Sequence, residues 1–296
     1  MKLIKPKFEI LEQSADLEGI YKMIELAGRT CYKSEDRITE DSAKKFADMM
    51  IKSGHGAMLE HGTVYLKITV GTKEVMDDAL GNNPILQLIE RYVKNKYSKV
   101  IFDKYYENVF RYEEAVKNVY ITTNLRVLVE NNWLDDLQYL CEPTKYHEKR
   151  YTVRFVCDRG VSHEFVRHRV MSFAQESTRY CNYSKNKFNN EITFILPSWD
   201  YVKSANYNGK DNFVGDIFEH SLRDAEQYYF SLLKQGWSPQ QARQVLPNAL
   251  KTELIMTGFA SDWKHFFDLR DAVHAHPDAR ALAEPLHKEF IKRKYI

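Results

Sequence analysis

The sequence predicts an α+β fold, and two periodicities of its apolar residues indicate this class. Apolar residues alternate with other residues in short segments such as 63–70 and 151–157, which is typical of strands with one buried face. In longer segments they recur at steps of three and four, as on one face of a helix. The strands and helices follow each other without the regular rhythm of βαβ units, which favours α+β over α/β.

The first 70 residues are predicted to form a unit of strand, helix, helix and strand. Segment 8–10 alternates as a short strand, and segment 17–27 carries its apolar residues on one helix face. A second helix is expected from about 39 to 53, and Gly54 is a suitable residue to end it. Strict alternation over 63–70 predicts the second strand.

Residues 72–150 differ in composition from the segments on either side. They are dense in Lys, Glu, Asp, Asn and Tyr, and they mostly lack strand alternation. Segments 85–89 and 119–129 look helical. We therefore predict a helical insertion at about 72–150 within a single domain that covers residues 1–296.

The remaining half is predicted to contain two strands followed by helices. The predicted order is a strand at 151–157, a strand at 191–197, and helices at 218–232, 238–247, 252–270 and 281–292. Apolar residues from Phe218 to Leu232 keep helical spacing throughout, so this amphipathic helix has strong support. Ser238 and Pro239 form an N-cap followed by proline at the first helical position.

Composition excludes several classes of protein. The chain has 296 residues, of which 44% are apolar and 28% charged, with a net charge of +2. A general nucleic-acid-binding surface needs a larger basic excess, so we expect no nucleic-acid partner. The N-terminus has no apolar signal region and no stretch approaches the length of a membrane span, so we expect a cytoplasmic protein. The four cysteines form no CxxC pair, which excludes zinc ribbons and thioredoxin-like sites.

Familiar cofactor and metal motifs are absent from the sequence. There is no GxGxxG turn and no P-loop, so a nucleotide would have to bind by other means. His163 and His168 resemble a zincin motif, but they are five residues apart. On a helix their imidazoles would diverge by about 140°, so we expect no metal site.

Segment 167–180 concentrates three arginines, a histidine, two serines and a tyrosine. An arginine offers a planar fork of donors that matches phosphate and carboxylate oxygens. In an extended loop, Ser177 and Arg179 would share a side and could grip one phosphate together. A solvated basic surface with exposed ion pairs is the alternative that composition alone leaves open.

The same segment resembles the RHRxxSxNEESxRY signature of the flavin-dependent thymidylate synthases (ThyX). The matching residues are Arg167, His168, Arg169, Ser172, Glu176, Ser177, Arg179 and Tyr180, whereas Ala174 and Gln175 depart from the pattern. Four further segments look like family segments: 27–32, the His55…Glu60-His61 stretch, 242–247, and 263–270 followed by His274. The resemblance covers roughly residues 1–70 and 151–285.

The resemblance implies a fold, a reaction and an assembly. The fold is a small, mostly antiparallel sheet packed with helices, here with the insertion at about 72–150 and a single catalytic domain. The reaction converts dUMP to dTMP with a methylene group from 5,10-methylenetetrahydrofolate and a hydride from FAD that NADPH has reduced. No protein thiol acts as nucleophile, and no metal takes part. The enzymes of the family are homotetramers whose sites are shared between subunits.

The resemblance also assigns residues by position. Arg270 would be catalytic, because a guanidinium held against the uracil ring stabilises negative charge that develops there. The dUMP-binding residues would be Glu164, Arg167, Gln175, Glu176, Ser177, Arg179, Arg243 and Arg270. The FAD-binding residues would be His55, Glu60, Arg167, His168, Arg169, Gln175, His265 and His274. Phe259 and Ser261 stand where the family often has Asn and Arg beside the flavin, so the flavin contacts are expected to differ.

Two other classes remain open at this point. A single-stranded nucleic-acid binder is favoured by 19 Tyr, 16 Phe and the arginine-rich segment, although the net charge argues against it. An inactive homologue would keep the fold and assemble only as an oligomer. A nucleophilic cysteine is a further alternative, and Cys181 is its best candidate because Arg179 lies close to it in sequence.

Overall fold

A four-stranded antiparallel sheet forms the centre of the protein in a computed structural model. The structure describes residues 1–70, 83–103, 118–198, 204–207 and 210–296. The strands are β1 Lys2–Ile4, β2 Lys7–Leu11, β3 Thr63–Thr69, β4 Lys99–Phe102, β5 Asn118–Asn124, β6 Arg150–Asp158, β7 Ser172–Gln175, β8 Thr193–Ile195, β9 Ser204–Tyr207, β10 Lys210–Phe213 and β11 Lys251–Phe259. The helices are α1 Leu17–Tyr32, α2 Ser42–Lys52, α3 Gly56–Leu59, α4 Pro84–Lys94, α5 Leu125–Glu130, α6 Arg159–Phe165, α7 Val214–Lys234, α8 Pro239–Ala242, α9 Ala260–Arg270 and α10 Pro277–Lys292.

The central sheet has the strand order β2-β6-β11-β7, and each neighbouring pair is antiparallel. Apolar side chains on one face, among them Phe155 and Met256, pack against Trp263 and Phe266 of α9 and Phe290 of α10. All five side chains are buried. The predicted α+β class, with its mostly antiparallel sheet, is confirmed.

The N-terminal helices and the first two long strands are confirmed, with small shifts at their ends. The four apolar residues expected to point inward from α2, Ala43, Phe46, Ala47 and Met50, are all buried. Gly54 follows α2 with a φ of +69°, a left-handed conformation that a glycine adopts at little cost. The amphipathic helix through 218–232 and the last helix are present as α7 and α10.

The prediction that 72–150 is a helical insertion is only partly right for its described part. Helix α4 covers the predicted helical segment 85–89 and α5 lies at 125–130, but segment 119–124 is a strand. This range contains strands β4 and β5, and β5 lies between β3 and β4 in an antiparallel sheet. Segment 118–124 is rich in β-branched residues, which favour a strand. Asn124 then caps α5 by accepting a hydrogen bond from the Val127 N–H at 3.2 Å. That the chain is a single domain stays a prediction.

The prediction of one helix over 252–270 is also wrong. Residues 251–259 form strand β11, and the helix α9 begins only at Ala260. β11 pairs with β6 on one side and β7 on the other, and it is buried almost along its whole length. A strand covered on both faces lacks alternation, so its apolar run cannot be distinguished from a helix by periodicity.

The remaining described elements form a smaller layer. β1 pairs with β8 in parallel, and α7 packs near them through Leu222 and Tyr229. Helix α8 begins after Ser238, whose backbone N–H donates to the Gln241 side chain at 2.9 Å. The described ranges contain no helix long and apolar enough to cross a membrane.

Candidate active site

The signature segment connects helix α6 to the edge strand β7. Asp158 caps α6 by accepting a hydrogen bond from the Val161 N–H at 2.8 Å. The chain then passes through a turn at 166–171 and enters β7, which pairs with β11. The signature therefore lies where α6, the central sheet and the C-terminal helix α9 meet.

Arg270, the last residue of α9, contacts two signature-region residues that are more than 100 positions away in sequence. Its Nη1 donates to Glu164 Oε2 at 2.6 Å, and its Nη2 donates to the Glu164 carbonyl at 2.7 Å. Its Nε donates to His168 Nε2 at 3.0 Å. Arg167 Nη1 lies 3.4 Å from Glu164 Oε1, and the centres of the His265 and His168 rings are 5.9 Å apart. We call these five residues the Arg270 cluster.

The electrostatics of the Arg270 cluster keep His168 neutral. Burial, and after it the positive charge of Arg270, lower the pKa of His168 to about 4. Because Nε2 accepts from Arg270, the ring hydrogen lies on Nδ1. The cluster therefore holds a fixed guanidinium beside a neutral imidazole.

Arg243 lies in a separate shallow pocket of about 250 Å³. Its Nη1 donates to Thr178 Oγ1 at 2.8 Å. This hydrogen bond connects the turn after α8 to the signature segment. The pocket is lined by Arg159, Thr178, Arg243, Gln244, Leu246, Pro247, Asn248 and Leu250. We call it the Arg243 pocket, and its size and donors suit a phosphate group.

The extended loop predicted for Ser177 and Arg179 is wrong. Residues 178–180 form a turn, in which the Cys181 N–H donates to the Ser177 carbonyl at 3.0 Å. The Ser177 hydroxyl instead accepts from the Arg179 N–H at 3.3 Å. The exposed Arg179 guanidinium lies 5.4 Å from the centre of the Tyr180 ring. A small polar side chain at Ser177 favours this tight turn over the extended form.

Glu176 and Gln175 are turned into the protein rather than towards its surface. Glu176 is only 2% exposed and pairs with Lys251 at 2.8 Å. Lys251 also pairs with Glu253 at 2.6 Å. Burial alone would raise the pKa of Glu253, but the positive charges of Lys251 and Lys33 outweigh burial and lower this pKa to about 2. This arrangement favours a supporting role for Glu176 over contact with a substrate.

Gln175 connects β7 to its neighbours. Its side-chain nitrogen donates to Ser162 Oγ at 2.9 Å and to Thr252 Oγ1 at 3.3 Å. These bonds tie the signature segment to α6 and to β11. A ligand contact by Gln175 therefore stays a prediction.

A second cavity of about 480 Å³ lies on the side of the signature that carries Arg169. Its lining includes Glu60, Arg126, Arg150, Arg169 and Phe259, and we call it the Arg150 cavity. No signal in the sequence indicated Arg150, which was the last residue of the predicted insertion and stood alone before the strand predicted at 151–157.

Arg150 is held by neutral partners only. Its Nη1 donates to the Glu60 carbonyl at 3.0 Å and to Thr63 Oγ1 at 3.2 Å, and its Nη2 donates to Ser172 Oγ at 3.3 Å. Its buried Nε has no hydrogen-bond partner in the described structure. Burial lowers the pKa of Arg150 to about 10. Such a guanidinium is prepared to bind an anion.

Phe259 and Ser261 occupy different surroundings. Phe259 is buried at the Arg150 cavity, with the Arg150 guanidinium 5.5 Å and Lys99 Nζ 5.7 Å from the centre of its ring. The Ser261 hydroxyl donates to the Glu148 carboxylate. At position 259, where the family resemblance leads one to expect an Asn beside the flavin, the chain therefore has a phenylalanine ring close to Arg150 and Lys99.

The other FAD candidates are dispersed over the described surface. Glu60 lines the Arg150 cavity and pairs with Arg126 at 2.5 Å. His55 precedes α3 and is exposed, and His274 is exposed beyond α9. Within one chain, Glu60 and Arg169 therefore lie together at the Arg150 cavity, whereas His168 and His265 lie together in the Arg270 cluster.

All four thiols are held in the protonated form. Burial raises the pKa of Cys181 to about 12, and the Glu176 carboxylate acts in the same direction. Burial likewise raises the pKa of Cys31 to about 11, and it raises those of Cys141 and Cys157. The idea that Arg179 activates Cys181 is therefore wrong. The described residues also include no group of three or more His, Cys, Asp or Glu that could hold a metal ion.

The family model described as thymidylate synthase complementing protein (Thy1) matches residues 143–293. The chain belongs to this family. The matched segment includes the Arg270 cluster and the Arg243 pocket, and it includes Arg150 and Arg169 of the Arg150 cavity. Glu60 lies outside it.

Curated relatives carry the name flavin-dependent thymidylate synthase. The Pyrococcus abyssi protein is 31% identical over 140 residues, which are 47% of this chain and 53% of the relative. The Geobacter sulfurreducens protein is 31% identical over 125 residues, which are 42% of this chain and 49% of the relative. The chain thus spans about half the length of the curated relatives that it matches.

One solved structure similar to this Thy1-family chain is a UMP/dUMP methylase, PolB from Streptomyces cacaoi, bound with 5-Br dUMP. The two are 18% identical, with a TM-score of 0.41, and the likeness covers 99% of this chain and 93% of that one.

Proposed function

We propose that this chain is a thymidylate synthase that converts dUMP to dTMP, with 5,10-methylenetetrahydrofolate as the one-carbon donor and FAD and NADPH as redox partners. The observation that carries the proposal is the Arg270 cluster. Arg270 meets Glu164 and His168 across more than 100 residues, inside the segment that the family model matches. A cytoplasmic homotetramer with a single catalytic domain, in which subunits share sites, belongs to the same proposal.

Arg270 would act on the pyrimidine ring. Uracil becomes more negative as its N3 proton is shared or as C6 receives a hydride, and a preorganised guanidinium stabilises that charge. Glu164 holds this guanidinium through both its carboxylate and its carbonyl. The neutral His168 fixes the third donor without adding a second positive charge beside it.

The nucleotide phosphate would bind at the Arg243 pocket and its neighbouring turn. Arg243 lines the pocket, and Ser177 and the exposed Arg179 flank Thr178 in the turn. Arg159, at the pocket, begins α6, and Glu164, in the Arg270 cluster, follows five residues later, so the backbones of these two residues are about 8 Å apart along the helix axis. That separation is comparable to the distance between the phosphate and the base of a nucleotide.

The residues around the Arg150 cavity fit a flavin dinucleotide. The unpartnered Arg150 Nε, with Arg126 and Arg169, offers positive charge for a diphosphate, and Phe259 offers an apolar ring face. Glu60 and Arg169 would hold the cofactor there, and His55, Arg167, His168, Gln175, His265 and His274 remain proposed contacts from the family pattern. The flavin, when bound and reduced by NADPH, supplies the hydride.

The chain itself supplies no activated thiolate. Cys181 lies next to the signature, but its thiol is buried and its pKa is about 12. A thiol in that state is a poor nucleophile at neutral pH. The proposed reaction therefore proceeds without covalent attachment of dUMP to a cysteine.

The absorbance spectrum of the purified protein with FAD tests the redox part of the proposal. We expect a flavin band that persists after gel filtration and bleaches under anaerobic conditions when NADPH is added. A single-stranded nucleic-acid binder would show neither property. If no flavin is retained, even after incubation with excess FAD, the proposal is wrong.

A further inference from the structure

Arg159 lines the Arg243 pocket together with Arg243, although the two residues are distant in sequence. Arg159 is the first residue of α6, and Arg243 begins the turn that follows α8. Both side chains are half-buried at the pocket, with Thr178 buried between the two segments. Arg159 is not part of the signature motif, so the resemblance gives it no role.

The backbone of Arg159 is anchored to the segment that carries Arg243. Its N–H is shared between the Asn248 carbonyl at 2.9 Å and the Leu250 carbonyl at 3.1 Å. The start of α6 and segment 243–250 therefore hold a fixed relation to each other. The two arginine side chains therefore extend into the pocket from backbone positions that are fixed relative to each other.

Positive charge in this pocket is not neutralised by the described residues that line it. The lining contains no Asp or Glu. Among the described residues, the only polar partner of the Arg243 side chain is the neutral Thr178 hydroxyl, and the Arg159 side chain forms no ion pair. The neighbouring Asp158 carboxylate is turned to its own helix, where it accepts the Val161 N–H.

The hydroxyl of Thr178 adds a donor for the same ligand. Its oxygen already accepts from Arg243 at 2.8 Å, so its own hydrogen is available to an anion. Two guanidinium forks and one hydroxyl form a donor set that suits a phosphate monoester dianion better than a single carboxylate.

We propose that Arg159 is a phosphate-binding residue of this chain, which contacts the 5′-phosphate of the pyrimidine nucleotide together with Arg243. The inference rests on the proposed function, because it takes dUMP as the ligand. If Arg159 binds the phosphate, this residue outside the signature helps the protein to distinguish the nucleotide from the nucleoside.

Calorimetric titration of the flavin-loaded protein tests the inference with Arg159→Gln. Glutamine keeps hydrogen-bonding capacity but removes the charge. We expect dUMP to bind about 10- to 100-fold more weakly, as for loss of a charge-assisted hydrogen bond. Binding of deoxyuridine should stay within twofold of the parent, and inorganic phosphate should compete with dUMP less well in the variant. The matched control is Arg154→Gln on β6, where the parent arginine pairs with Glu9 at the surface.

Two results would overturn the inference while leaving the proposed function intact. One is dUMP affinity in Arg159→Gln within twofold of the parent, while Arg243→Ala binds dUMP more weakly. The other is equal weakening of dUMP and deoxyuridine, which would mean that Arg159 supports the fold rather than the phosphate. Equal melting temperatures of parent and variant would confirm that the variant is folded. If the parent protein fails to bind dUMP at all, the proposed function itself is wrong.

Discussion

The Arg270 guanidinium is fixed on three sides, by the Glu164 carboxylate, the Glu164 carbonyl and the His168 ring. This arrangement uses all three nitrogens of a planar group. A lysine at the same place would keep the charge but present it as a point without the fork. The geometry of Arg270, rather than its charge alone, is therefore the feature to test at this scale.

Arg270→Lys should lose turnover by about 100-fold or more, as for loss of a preorganised donor to a developing anion. Folding and flavin content should be unchanged. The matched control is Arg280→Lys, an equivalent change at a half-exposed arginine of α10 that contacts the Asp271 carbonyl at 3.2 Å. Steady-state dTMP formation measures the effect, and near-parental turnover would show that Arg270 does not act on the pyrimidine.

Arg243→Ala should weaken dUMP binding by about 10- to 150-fold, because a charge-assisted phosphate contact is removed. Thr178→Val removes only the orienting hydroxyl and should cost less, about 2- to 10-fold. Arg223→Ala, at an exposed arginine of α7, is the control. The phosphate assignment is contradicted if dUMP affinity in Arg243→Ala stays within twofold of the parent.

His168 gives the protein a pH dependence whose sign follows from its lowered pKa. Between pH 6.5 and about 4 the unfolded chain protonates this imidazole while the folded chain does not, so stability falls as pH is lowered through this window. His168→Gln should therefore show a smaller drop in melting temperature from about pH 7 to pH 5. His163→Gln, at an exposed position of α6, should behave like the parent. An unchanged drop in His168→Gln would contradict the assignment.

Residue types in the signature could be recognised from sequence, but their contacts could not. The signature contains His168, the wider family resemblance pointed to Glu164 and Arg270, and the structure brings the three together. Neither the signature nor the wider resemblance gave any indication of Arg150 or Arg159, because each is a single arginine next to a strand or helix end. Their significance comes from neighbours that are distant in sequence, which no local periodicity contains.

Elements with a clear period of apolar and polar residues were predictable, and elements with a nearly continuous buried run were not. The helical spacing in α1, α2 and α7 arises because one face is buried, and Lys67 and Arg154 interrupt the apolar residues of β3 and β6. β11 has strands on both sides and few exposed residues, so it was mistaken for part of a helix. β5 was missed for the same reason, because it lies between β3 and β4 and is largely buried.

The packing of α1 on α2 offers a test at the scale of elements. A Cβ on Gly28 would lie 2.4 Å from Cζ of the buried Phe46 ring, so Gly28→Ala should strain this contact. We expect a loss of about 1–3 kcal/mol, which exceeds the gain of about 1 kcal/mol from better helix propensity. The melting temperature of Gly28→Ala, compared with that of the parent, measures the net effect of strain and helix propensity.

The double variant Gly28→Ala/Phe46→Leu is the matched control for that change. If the clash is the cause, alanine should be less harmful beside leucine than beside phenylalanine. A Gly28→Ala variant as stable as the parent would mean that the two helices move apart easily.

Three groups of site residues occupy different places in the whole molecule. The Arg270 cluster and the Arg243 pocket lie near the two ends of α6, and the Arg150 cavity also uses residues from the N-terminal half, such as Glu60 and Arg126. Described residues of the segment predicted as an insertion therefore line the cavity and form part of the sheet beside it. The proposed site residues therefore come from both halves of the chain.

Formation of dTMP from dUMP tests the central claim most directly. Purified protein is incubated with FAD, NADPH, 5,10-methylenetetrahydrofolate and dUMP, and the nucleotides are separated and identified by mass. We expect dTMP, which carries one methyl group more than dUMP, and no dTMP when NADPH or the folate is omitted or when the flavin has been stripped from the protein and FAD is left out. If a folded, flavin-containing protein yields no dTMP in the complete mixture, or yields it equally without flavin and NADPH, the account is contradicted.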